Sequence, residues 1–137
     1  VVTADAVARD RRRLLGSDHP ATLVARDNLA AALTVSGRID EAVGIGLDVI
    51  ERESRVLGAS HPETLWARHH LADALHEQGR DREAREVAEL AIDDASRQLG
   101  PTHPYVRWTV AMVKRWDDPS GDHGSLGDPE CERVLWE

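Results

Sequence analysis

A sequence pattern that returns every 42 residues constrains this chain more than any other feature. The block LGSDHPATL at residues 15–23 returns as LGASHPETL at 57–65, and in the shorter form LGPTHP at 99–104. Between these blocks, Gly-Arg dipeptides at 37–38 and 79–80 have the same spacing. Two interleaved landmarks with one period predict an array of stacked structural repeats.

The landmarks predict where helices begin and end. Each block starts with Leu-Gly after an apolar-periodic stretch, and Gly readily enters the left-handed backbone region in which many helices end. The Pro of each block suits the first turn of the next helix, where its missing N–H is not needed. The short polar side chains just before His-Pro are predicted to be N-caps, with Ser60 and Glu63 spaced as a capping box. These predicted caps are Asp18, Ser60 and Thr102, and the neighbouring His19, His61 and His103 are predicted to be structural.

Because a Gly-Arg pair interrupts each unit midway, we predict that a unit is two helices joined by a tight turn. The fold is then all-α, without strands. Small residues are expected where paired helices approach closely, at Ala30, Ala42, Ala72 and Ala84. The six predicted helices span residues 2–15, 19–36, 39–57, 61–78, 81–99 and 103–117.

The composition agrees with a small helical array and argues against several other classes of protein. With no Phe and one Tyr, the core must be built from Leu, Ala and Val. Cys131 is the single cysteine and cannot form an internal disulfide, and no run approaches the roughly 18 apolar residues of a membrane span. A net charge of −8 argues against binding along a phosphate backbone. We therefore expect a cytoplasmic protein that binds neither membranes nor nucleic acid.

These motifs give the chain a resemblance to tetratricopeptide repeats, specifically to the 42-residue kinesin-light-chain type. The shared signature is Leu-Gly-x-x-His-Pro-x-Thr-Leu, then Asn-Leu-Ala, then Gly-Arg-x-x-Glu-Ala, and the match covers about residues 1–117. The chain departs from this signature where the Asn, kept at Asn28, becomes His70 and then Met112. The resemblance implies a right-handed superhelical array of antiparallel helix pairs, an interaction module without catalysis, whose concave groove binds a peptide or partner protein.

The resemblance also implies which side chains face the groove, since the first helix of each pair lines it. Asn28 is expected to bond a peptide backbone there rather than to cap a helix, because its amide both donates and accepts. Trp66 and Trp108, one repeat apart, are expected either to form a stacked apolar platform or to fill gaps between helices. The implied groove residues are Val24, Asp27, Asn28, Ala31, Trp66, His69, His70, Asp73, Trp108, Met112 and Arg115.

A metal site on the fourth predicted helix is only a weak candidate. His69, Asp73 and His76 share one helical face, and their ligand types suit zinc or nickel. However, the two histidines lie about 10 Å apart along a straight helix, too far for one ion to take both. We therefore predict no metal, and interpret these side chains as polar groove contacts, of which the histidines titrate near neutral pH.

No catalytic centre and no cofactor site are predicted. Cys131 has no neighbouring His, so it lacks the base that activates a nucleophile. Gly44 and Gly46 lie inside a predicted helix, without the strand and Lys of a phosphate-binding loop. We predict instead that Gly46 permits close helix packing.

The chain is predicted to divide into the array, residues 1–117, and a flexible acidic tail, residues 118–137. Asp117 to Glu137 contains seven acids and one base, so this segment carries most of the net negative charge. The tail ends in apolar side chains. It is therefore expected either to be disordered or to dock, in its own groove or in that of a second copy, through Val134, Leu135 and Trp136.

The leading interpretation is a module that binds a protein or peptide partner, and two alternatives stay open. In the first alternative, the chain is a regulatory segment of a larger nucleotide-switch protein, since similar bacterial repeats often follow a nucleotide-switch domain. Because it begins without Met inside a predicted helix, we expect a fragment or a processed form. In the second alternative, the array is a scaffold that presents residues 131–137, including Cys131, to a modifying enzyme.

Overall fold

The computed structural model describes residues 3–117, which form six α-helices and no strand. The predicted all-α repeat array is confirmed, and each helix begins and ends within two residues of its expected boundary. The predicted tail, residues 118–137, lies outside the described residues. The helices are α1 (Ala4–Leu15), α2 (Pro20–Val35), α3 (Ile39–Val56), α4 (Pro62–Glu77), α5 (Asp81–Leu99) and α6 (Pro104–Asp117).

Histidine side chains cap the helices that begin with Pro. Nδ1 of His19 accepts a hydrogen bond from the backbone N–H of Ala21 at 3.1 Å, and Nδ1 of His61 accepts one from Glu63 at 3.2 Å. His103 accepts an equivalent bond from the third such helix, at 3.1 Å. The histidines are therefore structural, as predicted. The predicted N-caps Asp18, Ser60 and Thr102, and the capping box of Ser60 with Glu63, are wrong.

The reason for this error is the position of the prolines. Pro62 occupies the first helical position, so the capping residue must be the one immediately before it, and a residue before Pro is restricted to extended backbone. His61 has that conformation, with φ −64° and ψ 141°. One residue further from the helix, Asp18 instead accepts a hydrogen bond from Nη1 of Arg52, at 2.6 Å.

The Leu-Gly landmarks end their helices as predicted. Gly16 and Gly100 follow α1 and α5 with φ values of 92° and 94°, which side chains with a Cβ rarely adopt. The N–H of each Gly donates to a carbonyl one turn back, that of Arg12 at 3.0 Å and that of Ser96 at 3.1 Å. The chain therefore leaves the helix at these glycines.

Small residues bring the helices together along one continuous core. Ala30, Ala42 and Ala84, from α2, α3 and α5, belong to the same buried cluster as Leu71 of α4. Gly46 of α3 is buried at the contact with α4, where an added Cβ would lie 3.4 Å from Cδ1 of Leu71. The packing predicted at the alanines is therefore present, whereas an added Cβ at Gly46 would make an ordinary contact with Leu71.

An ion pair joins the two helices of each complete repeat. Nη1 of Arg26 in α2 lies 2.5 Å from Oδ2 of Asp48 in α3, and the Arg26 hydrogen bond lowers the pKa of Asp48. One repeat later, Nη1 of Arg68 in α4 lies 3.0 Å from Oδ2 of Asp94 in α5. These pairs hold α2 against α3 and α4 against α5.

Candidate functional site

The first helices of the repeats, α2, α4 and α6, form one side of the array. Within residues 3–117, α2 contacts α4 and α4 contacts α6, whereas α1, α3 and α5 make no comparable contact with one another. Helices that approach on one side and diverge on the other curve an array toward the side of closest approach. We call the surface formed by α2, α4 and α6 the inner face.

All of the groove residues implied by the sequence lie on these three helices, but they differ in exposure. Asn28 is exposed in the middle of α2 and far from either helix end, so it is not a capping residue. Asp27 and Met112 are buried. The remaining side chains are partly buried and are Val24, Ala31, Trp66, His69, His70, Asp73, Trp108 and Arg115.

Met112 belongs to the core rather than to the surface of a groove. Its side chain is 1% exposed and packs with Ala72 of α4 and Ala88 of α5. The flexible, apolar thioether of Met fills the space between these small residues and removes its own surface from water. The expectation that Met112 faces a ligand is therefore corrected.

Asp27 joins two helices of the inner face from below the surface. Its Oδ2 atom lies 2.9 Å from Nδ1 of His70 in α4, so the carboxylate accepts a hydrogen bond from that ring. The other oxygen, Oδ1, is buried without a hydrogen-bond partner among the described residues. Asp27 is therefore a bridge between α2 and α4 with unused hydrogen-bonding capacity.

Trp66 lies at the centre of an aromatic cluster between α4 and α6. Its ring centroid lies 6.0 Å from that of Trp108, with the planes tilted by 36°, and 5.2 Å from that of Tyr105 in an edge-to-face contact. The ring of His70 stacks on Trp66 at 5.8 Å and 25°. Both tryptophans keep part of their surface in solvent. They therefore pack between helices and also contribute aromatic surface to the inner face.

His69 is held in its neutral form by its surroundings. Thr109 donates its hydroxyl hydrogen to the carbonyl of Tyr105, so it accepts from Nδ1–H of His69, which lies 2.9 Å away. Burial lowers the pKa of His69 to about 3, and the charges of His70 and Arg115 act in the same direction. The prediction that His69 titrates near neutral pH is therefore wrong.

The two histidines of the weak metal candidate have different neighbours. Whereas His69 bonds Thr109, Nδ1 of His76 lies 2.9 Å from Oδ1 of Asp81, and the His76 ring stacks on Trp116 at 4.7 Å. Burial raises the pKa of Asp73, the charge of Glu77 acts in the same direction, and the charges of His70, His76 and Arg115 oppose the shift. In the part of the chain that the structure describes, no three His, Cys, Asp or Glu side chains form a metal-binding group.

Three carboxyl groups converge where α2, α3 and α4 meet, and sequence reasoning did not predict this. We call Asp27, Glu53, Glu63 and His70 the acidic junction. Glu53 is 0% exposed, and neither of its carboxyl oxygens has a hydrogen-bond partner among the described residues. Burial, together with the charges of Asp27 and Glu63, raises the pKa of Glu53 to about 8. Burial and the charge of Asp27 raise the pKa of Glu63 to about 7.

A signal for Glu53 was present in the sequence. Ala42, Gly46, Val49 and Glu53 are spaced by four, three and four residues, so they fall on one stripe of α3. All four are buried. An acid on an otherwise apolar stripe therefore indicated a buried carboxyl group, although not its neighbours.

The comparisons with known proteins agree with this architecture. A model of the tetratricopeptide repeat family matches residues 27–97, which is more than half of the chain. The comparison with curated proteins returned no match. No helix among residues 3–117 combines the length and the apolar character needed to cross a bilayer. The chain therefore belongs to the tetratricopeptide repeat family, whose repeats generally mediate protein–protein interactions and are not themselves catalytic.

Proposed function

We propose that this protein binds a peptide, or an extended segment of a partner protein, along the inner face. The observation that carries the proposal is the contact between Trp66 and Trp108, which touch across α4 and α6 while both stay partly exposed. Aromatic side chains that neighbours hold in place often dominate binding energy at interfaces, because they bury a large area and lose little conformational entropy.

Asn28 supports the same proposal from the neighbouring helix. Its amide is exposed on α2 and is able to donate one hydrogen bond and accept another. An extended backbone offers the matching pair of groups at every residue. A segment that crosses from α6 to α2 meets the two tryptophans first and then this amide.

We also propose that the repeats are of the 42-residue kinesin-light-chain type. The support is the His-Pro block, which returns at the same spacing in each unit and begins α2, α4 and α6 with the same His cap. The proposal concerns the type of repeat, and it leaves the identity of the partner to experiment.

Selection of peptides on the full chain tests the binding function. A displayed library of random dodecapeptides is panned on the protein, and the enriched peptides are measured against single variants. We expect Trp108→Ala to weaken binding about 30-fold, as for an aromatic hot spot worth about 2 kcal/mol. Asn28→Ala is expected to weaken it about fivefold, because one hydrogen bond is lost.

Leu90→Ala is the matched control, since Leu90 is an exposed apolar side chain on α5, outside the inner face. This variant should bind every selected peptide as the parent does, and circular dichroism should show that all variants keep their helical content. Peptides that bind the parent and Trp108→Ala equally well would refute the proposed site.

A further inference from the structure

The acidic junction has buried carboxyl oxygens that accept no hydrogen bond from any described residue. Glu53 is completely buried, and neither carboxyl oxygen bonds any described residue. Oδ1 of Asp27 is also buried without a hydrogen-bond partner among the described residues, while Oδ2 accepts a hydrogen bond from His70 at 2.9 Å. Buried polar groups are almost always paired, because removing them from water without a partner costs free energy. Three carboxyl groups and one imidazole, from three helices, therefore form a site in which three carboxyl oxygens have no hydrogen-bond partner among the described residues.

Helix packing does not require these acids. The equivalent positions 42 residues later are occupied by neutral side chains between α4, α5 and α6. Ala95 takes the place of Glu53 and is also 0% exposed. Tyr105 takes the place of Glu63, and its hydroxyl donates to the carbonyl of Leu65 at 2.5 Å. The same arrangement of helices forms there without any carboxylate. Helix packing therefore does not explain why the acidic junction contains three acids.

The acidic junction reaches the inner face through α4. Glu63 and Trp66 are one helical turn apart and both are partly exposed. His70, one turn further along, stacks on Trp66. The Glu63 carboxyl group and the Trp66 ring therefore occupy neighbouring positions on α4, and the buried Asp27 and Glu53 carboxyl groups lie near Glu63.

We propose that the acidic junction binds the cationic side chain, arginine or lysine, of a peptide seated on the inner face. This inference rests on the function proposed above. The cationic head group contacts the Trp66 ring and the Glu63 carboxylate, while Asp27 and Glu53 attract it from below. A cation over an indole ring beside a carboxylate is held more strongly in a partly buried site than in water. The partner adds a positive charge beside the three carboxyl groups, which makes the two surfaces electrostatically complementary.

Binding of this kind must depend on pH in a defined direction. The carboxyl groups that face the bound cation are Glu63 and Glu53, with pKa values raised to about 7 and about 8, and Asp27 and His70 lie beside them. A bound cation favours the ionised carboxylates, so their pKa values fall and protons are released. Arginine itself stays charged throughout. Affinity therefore rises between pH 6 and pH 8.5.

Pools of synthetic octapeptides test the inference on the immobilised full chain. Each pool has blocked termini, one fixed residue and otherwise random uncharged residues. The fixed residue is arginine, its neutral analogue citrulline, or glutamate. We expect about tenfold greater retention of the arginine pool than of the citrulline pool at pH 8.5, and a smaller ratio at pH 6, measured by mass spectrometry.

Two variants assign this preference to the site. Glu63→Gln should reduce the ratio of arginine to citrulline retention severalfold, whereas Glu77→Gln should not change it. Glu77 is the matched control because it is an exposed Glu at the other end of α4. Circular dichroism and thermal unfolding check that both variants fold.

The outcomes separate this inference from the proposed function. Equal retention of the arginine and citrulline pools, or stronger retention of the glutamate pool, overturns the cationic site. The proposed binding function still stands in that case if Trp108→Ala no longer retains the pools. Retention of no pool above the Trp108→Ala background overturns the binding function itself.

Discussion

Equivalent positions, 42 residues apart, line the acidic junction and a second contact region where α4, α5 and α6 meet. We call the second region the neutral junction. The helices pack in the same order in both, and each contains one side chain from its first helix, one from its second and two from its third. The side chains of the neutral junction are His69, Ala95, Tyr105 and Met112.

The neutral junction satisfies its own polar groups. Tyr105 donates to the carbonyl of Leu65, and His69 donates to Thr109. Ala95 and Met112 are buried and have no polar side-chain group to satisfy. The acidic junction, by contrast, keeps unpaired carboxyl oxygens. The difference shows that this arrangement of helices forms with or without carboxyl groups at these positions.

Placing an acid in the neutral junction gives the strongest test of this comparison. Ala95→Glu adds both volume and a buried carboxyl group to a site where Ala is 0% exposed. We expect the free energy of unfolding to fall by about 3 kcal/mol, measured by urea denaturation. Ala95→Gln controls for volume, and Ala95→Glu should lose more stability than Ala95→Gln as pH rises. If Ala95→Glu were as stable as the parent, the two junctions would be equally tolerant of acids.

The pH dependence of stability provides a second test of the difference between the acidic and neutral junctions. The pKa of Glu53 is about 8 in the folded chain against 4.5 when unperturbed, so the folded state holds a proton that the unfolded state releases. This stabilisation is complete below pH 4.5 and is lost as pH rises to about 8. Between pH 6.5 and 8.5, we expect the free energy of unfolding to fall by roughly 2 kcal/mol.

The window starts at pH 6.5 because His69 has the opposite effect at lower pH. Its folded pKa is lowered to about 3, so its contribution to stability grows as pH rises toward 6.5. Glu53→Gln should reduce the slope of the curve above pH 6.5 and leave the smaller contribution of Glu63, whose pKa is about 7, when unfolding is followed by far-ultraviolet circular dichroism. Parallel curves for the parent and the variant would exclude Glu53 as the titrating group.

The smallest effect on stability is expected from adding a Cβ to the glycines of α3, next to the acidic junction. Gly46 of α3 has Ala88 of α5 as its equivalent, and an added Cβ at Gly46 meets Leu71 at an ordinary contact distance of 3.4 Å. Gly46→Ala is therefore expected to stabilise the chain by about 0.5 kcal/mol through higher helix propensity. Gly44→Ala, with no atom within 4 Å, gives the propensity gain alone. If Gly46→Ala melted below the parent while Gly44→Ala did not, the helices next to the acidic junction would require glycine at position 46 for their close approach.

Much of the fold was predictable because helices depend on near neighbours in the chain. Leu-Gly and His-Pro mark the ends of helices through local backbone geometry, and these ends were predicted within two residues. The N-caps were predictable in principle too, since Pro20 at the first helical position makes His19 the capping residue. The error came from preferring Asp18 on residue type alone.

The candidate site was less predictable, because side-chain environments depend on more than one helix. The register of the repeat placed Trp66 and Trp108 on neighbouring helices, and the structure shows their rings in contact. The same register suggested that Met112 would behave like Asn28, yet one is buried and the other is exposed. An equivalent position in a repeat therefore does not guarantee an equivalent environment.

By itself, the sequence determined the repeat and the number and order of the helices, because spacing along the chain controls these, whereas the helices of the inner face were implied by the family resemblance. Only the tertiary structure decided that Asp27, Glu53 and Glu63 meet, that His69 is neutral, and that Met112 is buried. These properties depend on how three separate helices pack and on how much water they exclude. Packing fixes both the distances between charges and the free energy of ionising them.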